Sequence, residues 1–269
     1  MSDIRDALIE SLSESVSRLI NNSEIVPVSF SGGVDSFIVA ALAKKYSKPI
    51  LFTIGNKNSK DLIYSKIASN ALGIPLRVID FNKKDIECGI EETINLIGQE
   101  NNLDILIGVT FYLIAKRIRE DGFDFCLSGQ GADELFFGYD KYRRALLDKK
   151  NPFELRDKDV EELTEILHRR EYKIFGHFGI NFLSPFLDEK VRKISNEIDI
   201  YENLKGPEDT LRKHVLRDIA SSLGAPDEII NRRKKALQYG SGTLEEIRKI
   251  SKDKGIAPSL NAYLESIKK

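Results

Sequence analysis

Six consecutive residues, Ser31-Gly32-Gly33-Val34-Asp35-Ser36, carry the densest chemistry in this 269-residue sequence. Glycines let a backbone come close to an anion, and serine hydroxyls add donors. The apolar runs Ile25 to Phe30 and Phe37 to Ala43 predict a strand entering this loop and a helix leaving it. The exposed amides of a helix N-terminus favour negative charge, so a phosphate or pyrophosphate is the natural guest. The stretch lacks the Gly-Lys-Ser/Thr ending of one phosphate loop and the three spaced glycines of the dinucleotide fingerprint. A Gly-rich turn before a buried helix is the plain alternative. A second Gly-rich stretch, Leu127 to Tyr139, contains Asp133. Asp35 and Asp133 are hard oxygen donors that suit Mg²⁺ beside phosphate oxygens, and on residue type alone they are equally a helix cap and a turn former.

Cations form the third group. Arg232-Arg233-Lys234-Lys235 is a compact basic run. Four adjacent cations cannot all face one pocket, and a solvated face is the ordinary reading, with Arg233 and Lys235 pointing outward. Lys213 and Arg217 stand four apart on a helix read over 208–222, and line either an anionic site or solvent. His214 falls in the middle of that helix and receives no proton-transfer role. His168 and His177 show no ligand spacing, and the two cysteines, Cys88 and Cys126, are too few and too distant for a thiolate zinc site or a disulfide framework.

The elements that must position these residues follow from periodicity. Ile4, Leu8, Leu12, Val16, Leu19 and Ile20 predict an amphipathic opening helix. Strands are expected at 25–30, 49–54, 76–80 and 123–128, alternating with helices at 36–46, 59–72, 84–98 and 105–120. Such alternation implies an α/β fold with a parallel sheet covered on both faces. Ligands then sit outside the carboxyl ends of the strands, where the loops 31–36 and 129–133 both fall. After Tyr139 the pattern reads as wholly helical, over 159–174, 186–196, 208–222 and 243–251. Lys and Arg total 41 against 42 acidic residues, so no global positive field argues for nucleic acid or an anionic membrane. No apolar run is long enough to span a bilayer and no signal core opens the chain; the expectation is a cytoplasmic protein.

The loop at 31–36 resembles the PP-loop of ATP pyrophosphatases, which split ATP into AMP and pyrophosphate. Joined to Ser128-Gly129-Gln130-Gly131-Ala132-Asp133-Glu134-Leu135, it resembles the synthetase domain of asparagine synthetases and their relative β-lactam synthetase. Further stretches follow in the same order: Phe52-Thr53-Ile54-Gly55, Pro185-Phe186-Leu187-Asp188, Lys213-His214-Val215-Leu216-Arg217 and Arg232-Arg233-Lys234. The resemblance implies a PP-loop α/β core with its opening helix over residues 1–145. A helical part over 146–269 completes the active site within one synthetase domain. It further implies an ATP-dependent, AMP-forming ligase that adenylates an aspartate-like carboxylate and passes it to ammonia or another amine. Ser31, Gly32, Gly33, Val34, Asp35, Ser36, Ser128 and Gly129 then bind the phosphates, and Phe52, Thr53, Ile54 and Gly55 the nucleoside. Asp35 and Asp133 hold Mg²⁺. Lys234 neutralises charge at the α-phosphate, assisted by Arg232.

Two positions depart from that pattern. Gln130 stands where asparagine synthetases usually carry glutamate, and a neutral amide cannot act as a base, so proton transfer falls to Glu134, a water or the substrate. Ile107-Gly108-Val109-Thr110 replaces an Arg-x-Ser-Thr stretch. The pattern also begins almost at Met1, without a glutaminase domain, so the expected ammonia source is free ammonia or a separate glutaminase subunit; an oligomer is open. A tRNA-modifying PP-loop enzyme and a nucleotide-binding module without turnover are the alternative readings.

Overall fold

The computed structural model describes residues 2–57, 59–233, 237–255 and 260–267. Its first half is built as strand, helix, strand. Helix α1 (Ser2–Ile20) buries Leu8, Leu12, Val16 and Ile20, the four-residue stripe expected of it. Then follow β1 (Ile25–Ser29), α2 (Val34–Ala43), β2 (Lys48–Ile54), α3 (Lys60–Leu72) and β3 (Leu76–Ile79). The side chain of Ser59 caps α3 at its start, and Gly73, at φ 61°, closes it. Two helices, α4 (Lys83–Ile97) and α5 (Asn102–Glu120), lead to β4 (Phe125–Leu127).

The second half contains α6 (Ala132–Leu135), α7 (Asp140–Leu147), α8 (Pro152–Arg169), α9 (Glu171–His177), β5 (Asn181–Leu183) and α10 (Glu189–Glu197). It ends with α11 (Ile200–Asn203), α12 (His214–Ser222), α13 (Asp227–Ile230), α14 (Leu237–Gly240), α15 (Thr243–Asp253) and α16 (Leu260–Ile267). The five strands form one sheet in the order β3-β2-β1-β4-β5, and every pairing is parallel. Side chains alternate through it. Leu51, Leu127 and Leu183 face a core built with α1 and α2, while Phe52, Cys126 and Phe182 face one built with α4, α5 and α9.

Strand order explains where a ligand can sit. From β1 the chain steps outward to β2 and β3, then returns across β1 to β4 and steps outward the other way to β5. The order reverses between β1 and β4, and at such a switch point the loops leaving two adjacent strands part to open a crevice. The loops that leave there are 31–36 and 128–133.

Two expectations are corrected. The second half is not wholly helical, because Asn181–Leu183 joins the sheet as β5; its three residues lie between helical patterns, without the Gly-rich loop that marks the end of the equally short β4. The helix expected over 208–222 begins only at His214, which is therefore its first residue and not a central one. Asp209 Oδ1 captures the amides of Leu211 at 2.9 Å and Arg212 at 3.2 Å. Arg212 and Lys213 then take left-handed backbone at φ 57° and 53°, so a right-handed helix cannot start sooner.

Candidate active site

The phosphate loop is shaped by contact with α3. Gly32 has φ 67°, and a Cβ there would stand 2.4 Å from the backbone nitrogen of Ser65, so no other residue fits without moving the helix. Gly33 caps α2 without a side-chain hydrogen bond, leaving its first-turn amides to a guest. The Ser36 hydroxyl donates to Gly33 O at 3.1 Å and lies 3.5 Å from Ser31 Oγ, which folds both hydroxyls over the loop.

The second Gly-rich stretch packs directly on the first. A Cβ on Gly129 would meet Asp35 Cβ at 3.0 Å and Ser36 N at 3.1 Å. Asp133, in the first turn of α6, is brought inward by a tight return, where a Cβ on Gly138 would stand 2.1 Å from Asp133 Oδ1. Between the two acids lies Lys213. Its Nζ donates to both oxygens of Asp35 at 2.6 Å and to Asp133 Oδ1 at 2.9 Å, and only 3% of its side chain is exposed.

That ammonium is a cation at a point both acids reach. Two hard carboxylates beside a phosphate loop suit Mg²⁺, which takes few protein ligands and fills its shell with phosphate oxygens and water. Among the described residues no third His, Cys, Asp or Glu joins them. The donor set therefore fits the ion, with Asp35 and Asp133 as the residues to hold it.

Ser31, Asp35, Ser36, Thr53, Ile54, Ser128, Gly129, Gln130 and Asp133 line one cavity of about 110 Å³, walled by Phe111 and Ile114 of α5. A smaller one of about 40 Å³ lies on the other side of the loop, between Gly33, Val34, Asp35, Lys213, Arg217 and Arg232. Arg232 donates to Ser31 O at 2.6 Å, pairs with Asp61 and stacks over the Tyr64 ring at 4.4 Å. Arg233 is exposed but also borders this smaller cavity, while its neighbour Lys234 lies outside the described residues. A more open groove of about 590 Å³ runs along β5 and the start of β4. Neither the phosphate loop nor the acid pair borders it.

Besides Gly32, which packs on α3, three expected site residues line neither cavity. Phe52 is fully buried, its ring edge-on to Phe123 at 6.0 Å, so it packs beneath the site. Gly55 makes room for the Ser59 cap, since a Cβ would lie 2.0 Å from Ser59 Oγ. Glu134 turns away and accepts from the Tyr139 hydroxyl at 2.6 Å. Burial, with Glu134 and Asp133 close by, pushes the Tyr139 phenol well above its ordinary value, so it remains a donor.

Lys213 and Arg217, which the sequence leaves open between an anionic site and solvent, both border the smaller cavity, and Asp61 pairs with Arg232 beside it. There the charge of Arg217 interacts with that of Asp35, but its hydrogen bonds go elsewhere; its guanidinium donates to the carbonyls of Leu211 at 2.6 Å, Arg212 at 2.7 Å and Arg232 at 3.1 Å, and to that of Ile230. It staples the segment bearing Lys213 to the one bearing Arg232. The four-residue spacing of Lys213 and Arg217 was the available signal, but it suggested a shared helix face, whereas Lys213 precedes the helix.

The fold and site define an α/β domain of the PP-loop synthetase type, with a phosphate loop and an acid pair at the switch point of a parallel sheet. The asparagine synthase family model matches residues 7–175 and 157–260. This chain belongs to the asparagine synthase family. It is 31% identical to a Methanocaldococcus jannaschii protein provisionally described as a glutamine-hydrolyzing asparagine synthetase, a match covering 99% of this chain and 55% of that one. It is 28% identical to the glutamine-hydrolyzing asparagine synthetase B of Escherichia coli K12, over 90% of this chain and 47% of the other. With the glutamine-hydrolyzing asparagine synthetase 1 of Lotus japonicus the identity is 27%, over 80% and 39%. The chain thus spans about half the length, or less, of the curated relatives it matches. Among the described residues no helix is long and apolar enough to cross a membrane.

Proposed function

We propose that this chain is an ATP-dependent, AMP-forming amide ligase. An aspartate-like carboxylate attacks the α-phosphorus of ATP, pyrophosphate leaves, and ammonia or another amine attacks the acyl-adenylate, releasing AMP. The observation that carries this reading is the meeting of two motifs: Gly129 packs on Asp35, and Asp35 and Asp133 share one cation beside an uncapped helix N-terminus.

In this reading the hydroxyls of Ser31 and Ser36 and the amides of Gly32, Gly33 and Val34 hold the β and γ phosphates. Donors already in place where charge grows on the leaving pyrophosphate lower the barrier without reorganisation. Thr53 and Ile54 border the nucleoside, and Phe111 and Ile114 exclude water from the adenylate. Lys213 and Arg232 add positive charge from the far side of the loop, and Lys234 takes the same task at the α-phosphate. Mg²⁺, when bound by Asp35 and Asp133, supplies charge neutralisation for the phosphates. The amine is free ammonia, ammonia from a separate glutaminase subunit, or a larger amine, and the reaction belongs to the ATP-rich cytoplasm.

The test is ATP–pyrophosphate exchange by purified protein with Mg²⁺ and a panel of amino-acid carboxylates led by aspartate. The expected result is exchange that requires a carboxylate, followed by AMP release on adding ammonium. ATP binding without exchange for any carboxylate would sink the reading.

A further inference from the structure

Gln130 lines the cavity, and its side chain is the end of a buried polar chain. Its Nε2 donates to Glu171 Oε1 at 3.0 Å. Arg170 donates to that same oxygen from Nε at 3.1 Å and Nη2 at 2.7 Å, and from Nη1 to Asp104 Oδ1 at 2.6 Å. Arg169 closes the chain on Asp104 Oδ2 at 2.8 Å. Glu171 is fully buried, and among the described residues its Oε2 has no hydrogen-bond partner.

Charges this deep are costly unless paired, and a helix junction does not require them. What they accomplish lies at the open end. Glu171 Oε1 already accepts two donors from Arg170, so it can receive Gln130 only through its NH₂ group. The amide is thereby fixed, with Nε2 inward and the carbonyl oxygen Oε1 left for the cavity. A carbonyl oxygen there accepts an N–H and repels a carboxylate, so it suits an amino group and not the reacting carboxyl group.

We infer that Glu171 is a positioning residue for the acceptor amine: it turns Gln130 Oε1 into the cavity, where that oxygen receives an N–H of the amine that attacks the acyl-adenylate. The inference rests on the ligase reading. It also accounts for the amide at position 130, since glutamate there would set two carboxylates side by side in a buried site. Burial already pushes the Glu171 carboxyl above the usual range, against the pull of Arg170. A second negative charge would add repulsion.

The experiment compares wild type with Gln130→Glu, Glu171→Gln and the double swap. Gln130→Glu, which loses the hydrogen bond to a charged group, is expected to raise KM for the amine roughly 10-fold or more, and Glu171→Gln, which keeps the acceptor without its charge, by less, each with a smaller effect on exchange. The swap, which restores one amide facing one carboxylate, is expected to recover most of that loss. Thermal unfolding supplies a readout independent of turnover: Gln130→Glu lowers the midpoint and the swap restores it. Additive effects in both measurements would overturn the inference while leaving ligase activity intact. Absent exchange in the wild type would instead sink the ligase reading, and the amine role with it.

Discussion

Lys213 donates from one ammonium nitrogen to both carboxylate oxygens of Asp35, each at 2.6 Å, and so ties the second half of the chain to the phosphate loop. Without it, Asp35 and Asp133 would face each other as uncompensated acids. Lys213→Met is expected to lower stability by about 3 kcal/mol in metal-free buffer, the usual scale for breaking a buried pair. Mg²⁺ should then raise the unfolding midpoint of the variant more than that of wild type. Equal shifts in both proteins would show that the two carboxylates do not bind the ion.

Gly32→Ala tests the packing beneath the loop. Its φ of 67° disfavours a side chain, and the added carbon would meet helix backbone at 2.4 Å, which a rotamer change cannot relieve. Denaturant unfolding should show a loss of roughly 2 kcal/mol or more, and ATP affinity should fall with it. Full affinity in a stable variant would mean that the loop does not approach α3 this closely.

Arg232→Lys should behave almost like Arg232→Ala. The guanidinium meets Ser31 O, Asp61 and the Tyr64 ring at once, and an ammonium offers neither the fork nor the flat face. The measurement is KM for ATP in the exchange assay, where both variants should rise by roughly 10-fold, the scale of a lost charged hydrogen bond. A lysine variant close to wild type would show that charge alone matters.

The loop that presents Lys213 has a pH signature. Burial raises the Asp209 carboxyl, but the amides of Lys205, Leu211 and Arg212, with His214, outweigh it and hold the group below the usual carboxylate range. A depressed folded value means stability is present above the unfolded value, about pH 3.9, and is lost as pH falls through the folded one. Asp209→Asn should therefore be less stable than wild type near neutrality, and the gap should close below about pH 4. A gap that persists in acid would assign the loss to packing and not to charge.

Thiol reactivity separates the two cysteines. Cys88 is exposed, whereas burial pushes the Cys126 thiol up to about 12. A thiol reagent at neutral pH should label Cys88 in the folded protein and reach Cys126 only on unfolding. Rapid labelling of both would contradict the packing of β4 between the two cores.

The first three strands and their helices were legible because each carries enough residues to display a period or an apolar run, as Leu8, Leu12, Val16 and Ile20 do for α1, and the short β4 because its apolar run leads directly into the Gly-rich stretch at 128–133. The phosphate loop was legible because Gly32, Gly33 and the two serines lie together in sequence. β5 was not, since its three residues lie between helical patterns with no Gly-rich loop after them to mark a strand end. The start of α12 was missed because Asp209 captures the amides that a helix beginning at 208 would have used. Gln130 stood out by residue type, but it lies in a turn and its partner Glu171 starts helix α9, with no spacing to suggest the pair.

By itself, then, the sequence determined the class of fold, the Gly-rich loop at 31–36 between strand and helix, and the two acids that could hold a cation, because those depend on local periodicity and on residues adjacent in the chain. Only the tertiary structure decided that Lys213 lies between Asp35 and Asp133, that Glu134 turns to Tyr139, and that Glu171 orients Gln130. Those relations depend on which side chains meet when the strand order reverses between β1 and β4. They are distances across the fold, and a linear pattern does not contain them.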